Sequence, residues 1–138
     1  MSNKSLADLA QRIKKIDFGM LTTVAPDGGL ASRPMSNNQD VEYDGDSYYF
    51  TSDDTDMVRE ISDNPRVGLT FHGEERFFVA VAGEAEIIRD KETFKAHWAP
   101  SVDEWFEDGI DTPGLVLLKV RAKHVHYWEG EESGEIVL

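Results

Sequence analysis

The side chains able to exchange protons near neutral pH are few. His72, His124 and His126 are the acid–base candidates, because imidazole titrates closest to physiological pH. His124 and His126 stand two apart in a predicted strand and so face one side. A metal would need a third and usually a fourth ligand, and the spacing places none, so they read as packing or cavity-lining histidines. Asp53-Asp54-Thr55-Asp56 lacks the glycine and the closing bidentate glutamate of a calcium loop, and reads as the acidic start of a helix. The chain has no cysteine. That excludes disulfides, thiolate metal sites and a cysteine nucleophile, and it fits a reducing compartment. GxGxxG and GxxxxGK[ST] are absent, as are the GxSxG and HExxH motifs.

These residues sit in a chain of 138 residues, a length that fits one domain, 1–138. Ser5 to Ile16 reads as an amphipathic helix, with Leu6, Leu9, Ala10, Ile13 and Ile16 at helical spacing and a capping box from Ser5 and Asp8. From Phe18 the pattern turns to β. Strands are expected at Phe18 to Ala25 and Leu30 to Met35, joined by the turn Pro26-Asp27-Gly28-Gly29. Asn37 to Asp46 reads as a loop, Ser47 to Thr51 as a strand and Asp54 to Ser62 as a short helix. Arg66 to His72 and Arg76 to Ile88 follow as strands, with Gly83 at a bend or bulge. A helix from Asp90 to Trp98 stops at Pro100, and another short helix holds Trp105 and Phe106. Leu115 to Arg121 and His124 to Glu129 read as the last strand pair, with some pairing at Ile136 to Leu138. The expectation is a mainly β (α+β) fold, a six-stranded antiparallel split β-barrel with short flanking helices.

The formal charge is −13, a field that repels nucleic acid and anionic membrane surfaces. No apolar run approaches the roughly 20 residues of a membrane span, and the N-terminus lacks the layout of a secretory signal. The chain reads as cytoplasmic, with no nucleic acid or membrane partner.

Several segments stand out in order: Ala31-Ser32-Arg33-Pro34-Met35, Tyr49-Phe50-Thr51, Val58 through Val67, and Trp105-Phe106-Glu107-Asp108-Gly109 with Tyr127-Trp128 downstream. Their order and spacing resemble the pyridoxamine 5′-phosphate oxidase-like, FMN-binding split-barrel superfamily, in its general stress protein branch. The match runs from about Leu9 to Glu129. The resemblance implies FMN as cofactor and a homodimer with the flavin at the subunit interface. It implies flavin contacts from Arg33, Pro34 and Met35, from Phe50 and Thr51, from Thr55 and the position of Met57, and from Trp105 and Trp128. The physical needs of FMN agree. A phosphate dianion wants charge-assisted donors, the ribityl chain wants hydroxyl partners, and the ring wants apolar walls. Pro34 removes a ladder donor beside Arg33 and leaves backbone free to meet a ligand.

The pattern departs from the family twice. Many relatives carry a basic residue at the position of Met57, where this chain reads Thr55-Asp56-Met57. Oxidases of pyridoxamine phosphate follow the tryptophan with a basic segment, whereas here Trp128 leads into Glu129-Gly130-Glu131-Glu132. An acidic tail repels a phosphorylated vitamer, so that activity is not expected. The reading is an FMN-binding oxidoreductase acting on a small molecule or NAD(P)H in a stress response, with no catalytic side chain assigned. Two alternatives stay open: a non-catalytic FMN-binding, storage or redox-sensing module, and the same fold around a deazaflavin or haem.

Overall fold

The computed structural model describes residues 4–37 and 44–138, apart from the side chain of Ser101. The loop expected from Asn37 to Asp46 falls mostly outside the described residues. In chain order the elements are helix α1 (Leu6–Ile13), strands β1 (Phe18–Val24), β2 (Leu30–Ser36) and β3 (Asp46–Ser52), helix α2 (Asp56–Asp63), strands β4 (Arg66–His72) and β5 (Phe77–Ile88), helix α3 (Lys91–His97), and strands β6 (Leu115–Glu129) and β7 (Glu132–Val137). Two 3₁₀ turns, Pro100–Glu104 and Gly109–Asp111, lie between α3 and β6.

The strands form one seven-stranded antiparallel sheet in the order β2-β1-β4-β5-β6-β3, with β7 pairing β6 off that path. The sheet is open, and the expected six-stranded split β-barrel is corrected on that point. β2 pairs only with β1 and β3 only with β6, so the two edges carry no ladder between them. Period-two alternation tells which face a residue takes, but it is silent on whether two distant edge strands meet. The strand count changes because β6 takes two partners on one edge. Leu115 to Arg121 pair with β3, and His124 to Glu129 pair with β7.

β6 also corrects the expected last strand pair: Leu115 to Glu129 is one strand of 15 residues. The break in alternation at Ala122-Lys123 is a bulge, where Ala82 pairs His124 but Gly83 pairs Ala122. No turn-forming residue lies there to reverse the chain, so the extra residue is absorbed within the ladder. Gly83 is required at that point. A Cβ on it would run into the Arg121 carbonyl and lie 3.2 Å from Ala122 Cα.

The concave face of the sheet holds the main core. Leu21, Leu69, Val79 and Val120 alternate inward and meet Leu9 and Ile13 of α1 and Met57 and Ile61 of α2. α1 begins where its sequence says it should: Ser5 accepts from the Asp8 amide and Asp8 accepts from the Ser5 amide. A separate, smaller core lies on the opposite face. There Leu115 and Leu117 of β6 and Phe94 of α3 are buried against Phe50, Trp98 and Phe106. The segment between β5 and β6 is thereby held to the outside of the sheet, beside β3.

Candidate functional site

The sheet curls until its two unpaired edges border one cleft of about 400 Å³. β2 contributes Pro34, Met35 and Ser36; β3 contributes Tyr48 through Ser52; and α3 and the first 3₁₀ turn contribute His97, Val102, Trp105 and Phe106. Phe18 of β1 closes one end. The wall of this cleft is a chain of ring contacts. Tyr48 stacks on His97 at 3.8 Å, and Phe50 meets Trp98 at 4.8 Å and the edge of Phe94 at 5.7 Å. Trp98 reaches Phe106 at 6.3 Å and donates its indole N–H to Asp103 at 2.8 Å. Asp90 starts α3 by accepting from the Glu92 amide, and Pro100 opens the 3₁₀ turn that sets Trp105 at the mouth. Trp105 is 67% exposed, a large apolar side chain left in water at the rim of an aromatic cavity. Burial pushes the Tyr49 phenol well above its ordinary value.

Of the residues singled out in the sequence, the cleft brings together Pro34, Met35, Phe50, Thr51 and Trp105. The others lie elsewhere. Arg33 alternates to the opposite side of β2 from Pro34 and points beneath the sheet. There it donates to Leu21 O at 3.2 Å, Thr23 Oγ1 at 2.9 Å and Glu60 Oε1 at 3.2 Å. Thr23 in turn donates to the same Glu60 oxygen at 2.7 Å. Thr55 is the N-cap of α2, its hydroxyl accepting from the Val58 amide and donating to Ser52 O. Met57 is buried in the main core. Trp128 lies on the outer face of β6, stacked on His126 at 5.4 Å.

Sequence reading missed Phe18, Tyr48 and His97 as lining residues. Tyr48 was legible in principle, because it shares a strand face with Phe50. His97 carried no signal, since its place depends on a non-local contact between α3 and β3. The acid–base candidates His72, His124 and His126 do not line the cleft.

Four cations on the elements around the cleft are paired. Arg33 pairs with Glu60, Arg59 with Asp56, Arg89 with Asp53 at 2.7 Å, and Lys119, which lies 5.8 Å from the Tyr48 ring, with Asp46 at 3.7 Å. The hydrogen bond from Arg89 holds the Asp53 carboxyl below its ordinary value. Phe18 links the cleft to a second surface, the outer face of the sheet, where Phe18, Met20, Phe78 and Trp128 are exposed. His72 stacks on Phe78 at 4.5 Å, and Glu135 of β7 faces both His124 and His126 at 3.3 and 3.1 Å. Among the described residues no group of His, Asp and Glu is arranged to hold a metal ion. No helix among them is long and apolar enough to cross a membrane.

A concave aromatic wall with hydroxyls at Ser36, Thr51 and Ser52 suits a flat, polar-rimmed aromatic ligand. The family model described as "Pyridoxamine 5'-phosphate oxidase like" matches residues 4–138. The chain belongs to that family. The general stress FMN/FAD binding protein of Xanthomonas citri is 28% identical, with a TM-score of 0.75 over 96% of this chain and 95% of that one. A Clostridium acetobutylicum protein related to general stress protein 26 of B. subtilis is 19% identical, with a TM-score of 0.81 over 93% of this chain and 90% of that one. Protein bli-3 of Neurospora crassa is 22% identical over 135 residues, 91% of this chain, and the chain spans 65% of the length of that curated relative.

Proposed function

We propose that this chain, acting as one domain over residues 1–138, is an FMN-binding oxidoreductase-like protein of the stress response that holds its flavin in the cleft between β2 and β3. The observation that carries the proposal is the convergence of Pro34, Met35, Phe50, Thr51 and Trp105 on a single aromatic cavity at the two unpaired sheet edges. The lining fits an isoalloxazine ring and a ribityl chain. Tyr48, Phe50, Trp105 and Phe106 supply apolar walls, and Ser36, Thr51 and Ser52 supply hydroxyl partners. When bound, a flavin supplies hydride and electron transfer with a small molecule or NAD(P)H. The chain's own residues orient the ring and restrict water. Pro34 contributes no N–H to the rim, and Trp105 is placed to cover the mouth.

The functional unit is a homodimer. The cleft runs through Phe18 into the exposed outer face of Met20, Phe78 and Trp128, and an isologous contact there would bring Trp128 of a second copy near the ring. Pyridoxamine phosphate is not the substrate, because Trp128 is followed by Glu129, Glu131, Glu132 and Glu135. A second reading, a storage or redox-sensing module without turnover, is favoured by one feature: among the described residues the lining holds no carboxylate, and the imidazole it does hold, His97, is stacked against Tyr48.

Mass spectrometry of the supernatant from the denatured, freshly purified protein identifies the cofactor, and FMN titration of the apoprotein quenches flavin fluorescence if the cleft takes the ring. Absence of any flavin, with no quenching at saturation, refutes the proposal. Steady-state NAD(P)H oxidation with an added acceptor separates the enzyme from the module.

A further inference from the structure

We infer that the cleft recognises the ring and ribityl chain of a flavin but not its phosphate, so that a dephosphorylated flavin, riboflavin, binds about as well as FMN. The inference rests on the flavin reading above and deepens it by naming the form of the ligand. Among the described residues, the cleft lining contains neither lysine nor arginine.

The neighbouring cations are positively committed rather than merely distant. Arg33 is the residue whose sequence position best suits a phosphate grip, yet its side chain is three-quarters buried and turned to Glu60. Three of its five N–H donors go to Glu60, Thr23 and a backbone carbonyl. Turning it toward the cleft would strand Glu60, whose side chain is only 10% exposed, without its counter-charge. At the start of α2 the backbone amides favour an anion, but Thr55 already caps the Val58 amide and the turn is flanked by Asp53, Asp54 and Asp56. Asp56 takes up Arg59, and Asp53 takes up Arg89. A dianion entering this corner meets carboxylates whose cations are already paired, within a chain whose net charge is −13. A neutral ribityl terminus meets Ser36, Thr51 and Ser52 at no electrostatic cost.

The test titrates the full-length apoprotein with riboflavin and with FMN, following quenching of flavin fluorescence at low and at moderate salt. The expected result is a Kd ratio of less than tenfold between the two ligands, with little change on adding salt. Asp56→Asn removes one exposed carboxylate and releases Arg59, and Glu60→Gln loosens Arg33. Each is expected to tighten FMN several-fold and leave riboflavin unchanged. The Asp56→Asn arm lies on the surface and reads out whether or not Glu60→Gln folds. FMN binding tenfold or more tighter than riboflavin in the unmodified chain overturns the inference while leaving the flavin reading intact. Binding of neither flavin overturns both.

Discussion

The Arg33–Glu60 pair can be tested as a unit of stability, apart from any ligand. Replacing Glu60 by Leu removes the carboxylate that accepts from Arg33 at 3.2 Å and from Thr23 at 2.7 Å. At 3.2 Å and an effective dielectric near 20, the Coulomb attraction of the pair is about 5 kcal/mol. Much of that is offset by taking both groups from water, and Arg33 keeps a quarter of its side-chain exposure, so water can partly solvate it once it is alone. Losing the Thr23 acceptor adds about 1 kcal/mol, since that hydroxyl is buried. The single variant should therefore lose about 3 kcal/mol, and Arg33→Met alone about 2 kcal/mol. The double variant Arg33→Met, Glu60→Leu leaves no unpaired charge and should lose only about 1 to 2 kcal/mol, well below the sum of the two single losses. Urea unfolding followed by tryptophan fluorescence gives all the corners of the cycle. Additive losses, or a Glu60→Leu cost below about 1 kcal/mol, would show that the pair is not the compensated buried unit described.

Gly83→Ala should cost about 2 to 3 kcal/mol by urea unfolding, because its new methyl meets the backbone of Arg121 and Ala122 rather than a side chain that can swing away; a loss under 0.5 kcal/mol would mean the bulge relaxes freely. Phe78→Asp should convert the proposed homodimer to monomer in light-scattering chromatography and reduce retention of the proposed flavin, since Phe78 is 40% exposed in the single chain; an unchanged dimer would move the interface elsewhere. The carboxyls of Asp8, Asp53, Asp90 and Asp111 are all held below their ordinary value of 3.8, by the Ser5 amide, Arg89, the Thr93 hydroxyl and Lys91 respectively. Their contribution is present above that value and is lost as pH falls through the lowered ones, and because all four carboxyls lie at the surface the thermal midpoint should hold down to about pH 4 and fall modestly beneath it. A midpoint that stays level to pH 2.5 would refute the assignment.

The sequence was most informative where local rules decide. The capping box of Ser5 and Asp8, the Pro26 to Gly29 turn, the shared side of His124 and His126, and the special place of Gly83 each follow from residue type and period, whereas the exposure of those two histidines does not. What it could not convey depends on contacts between distant segments. Closure of the sheet turns on whether β2 and β3 pair, and no property of either strand states that. The two partners along β6 were hidden because Ala122-Lys123 looks like a break, and only the register with Ala82 and Gly83 makes it a bulge. The site was legible in part for the same reason. Pro34, Met35, Phe50 and Thr51 sit on the edge strands that border the cleft, whereas the inward turn of Arg33 required knowing that Glu60 waits beneath it.

The separation of the two apolar clusters bears on how this scaffold can change its ligand. The stretch from Lys91 to Gly114 leaves the β5–β6 ladder and returns to it, and it packs on Leu115 and Leu117 in a cluster separate from the one that holds α1 and α2. Its side chains Val102, Trp105 and Phe106 form one wall of the cavity. Insertions or wholesale replacement there would reshape what the pocket admits while the strands beneath kept their pairing. The same framework is thus built to carry an exchangeable face, with ligand choice and fold stability resting on different sets of residues.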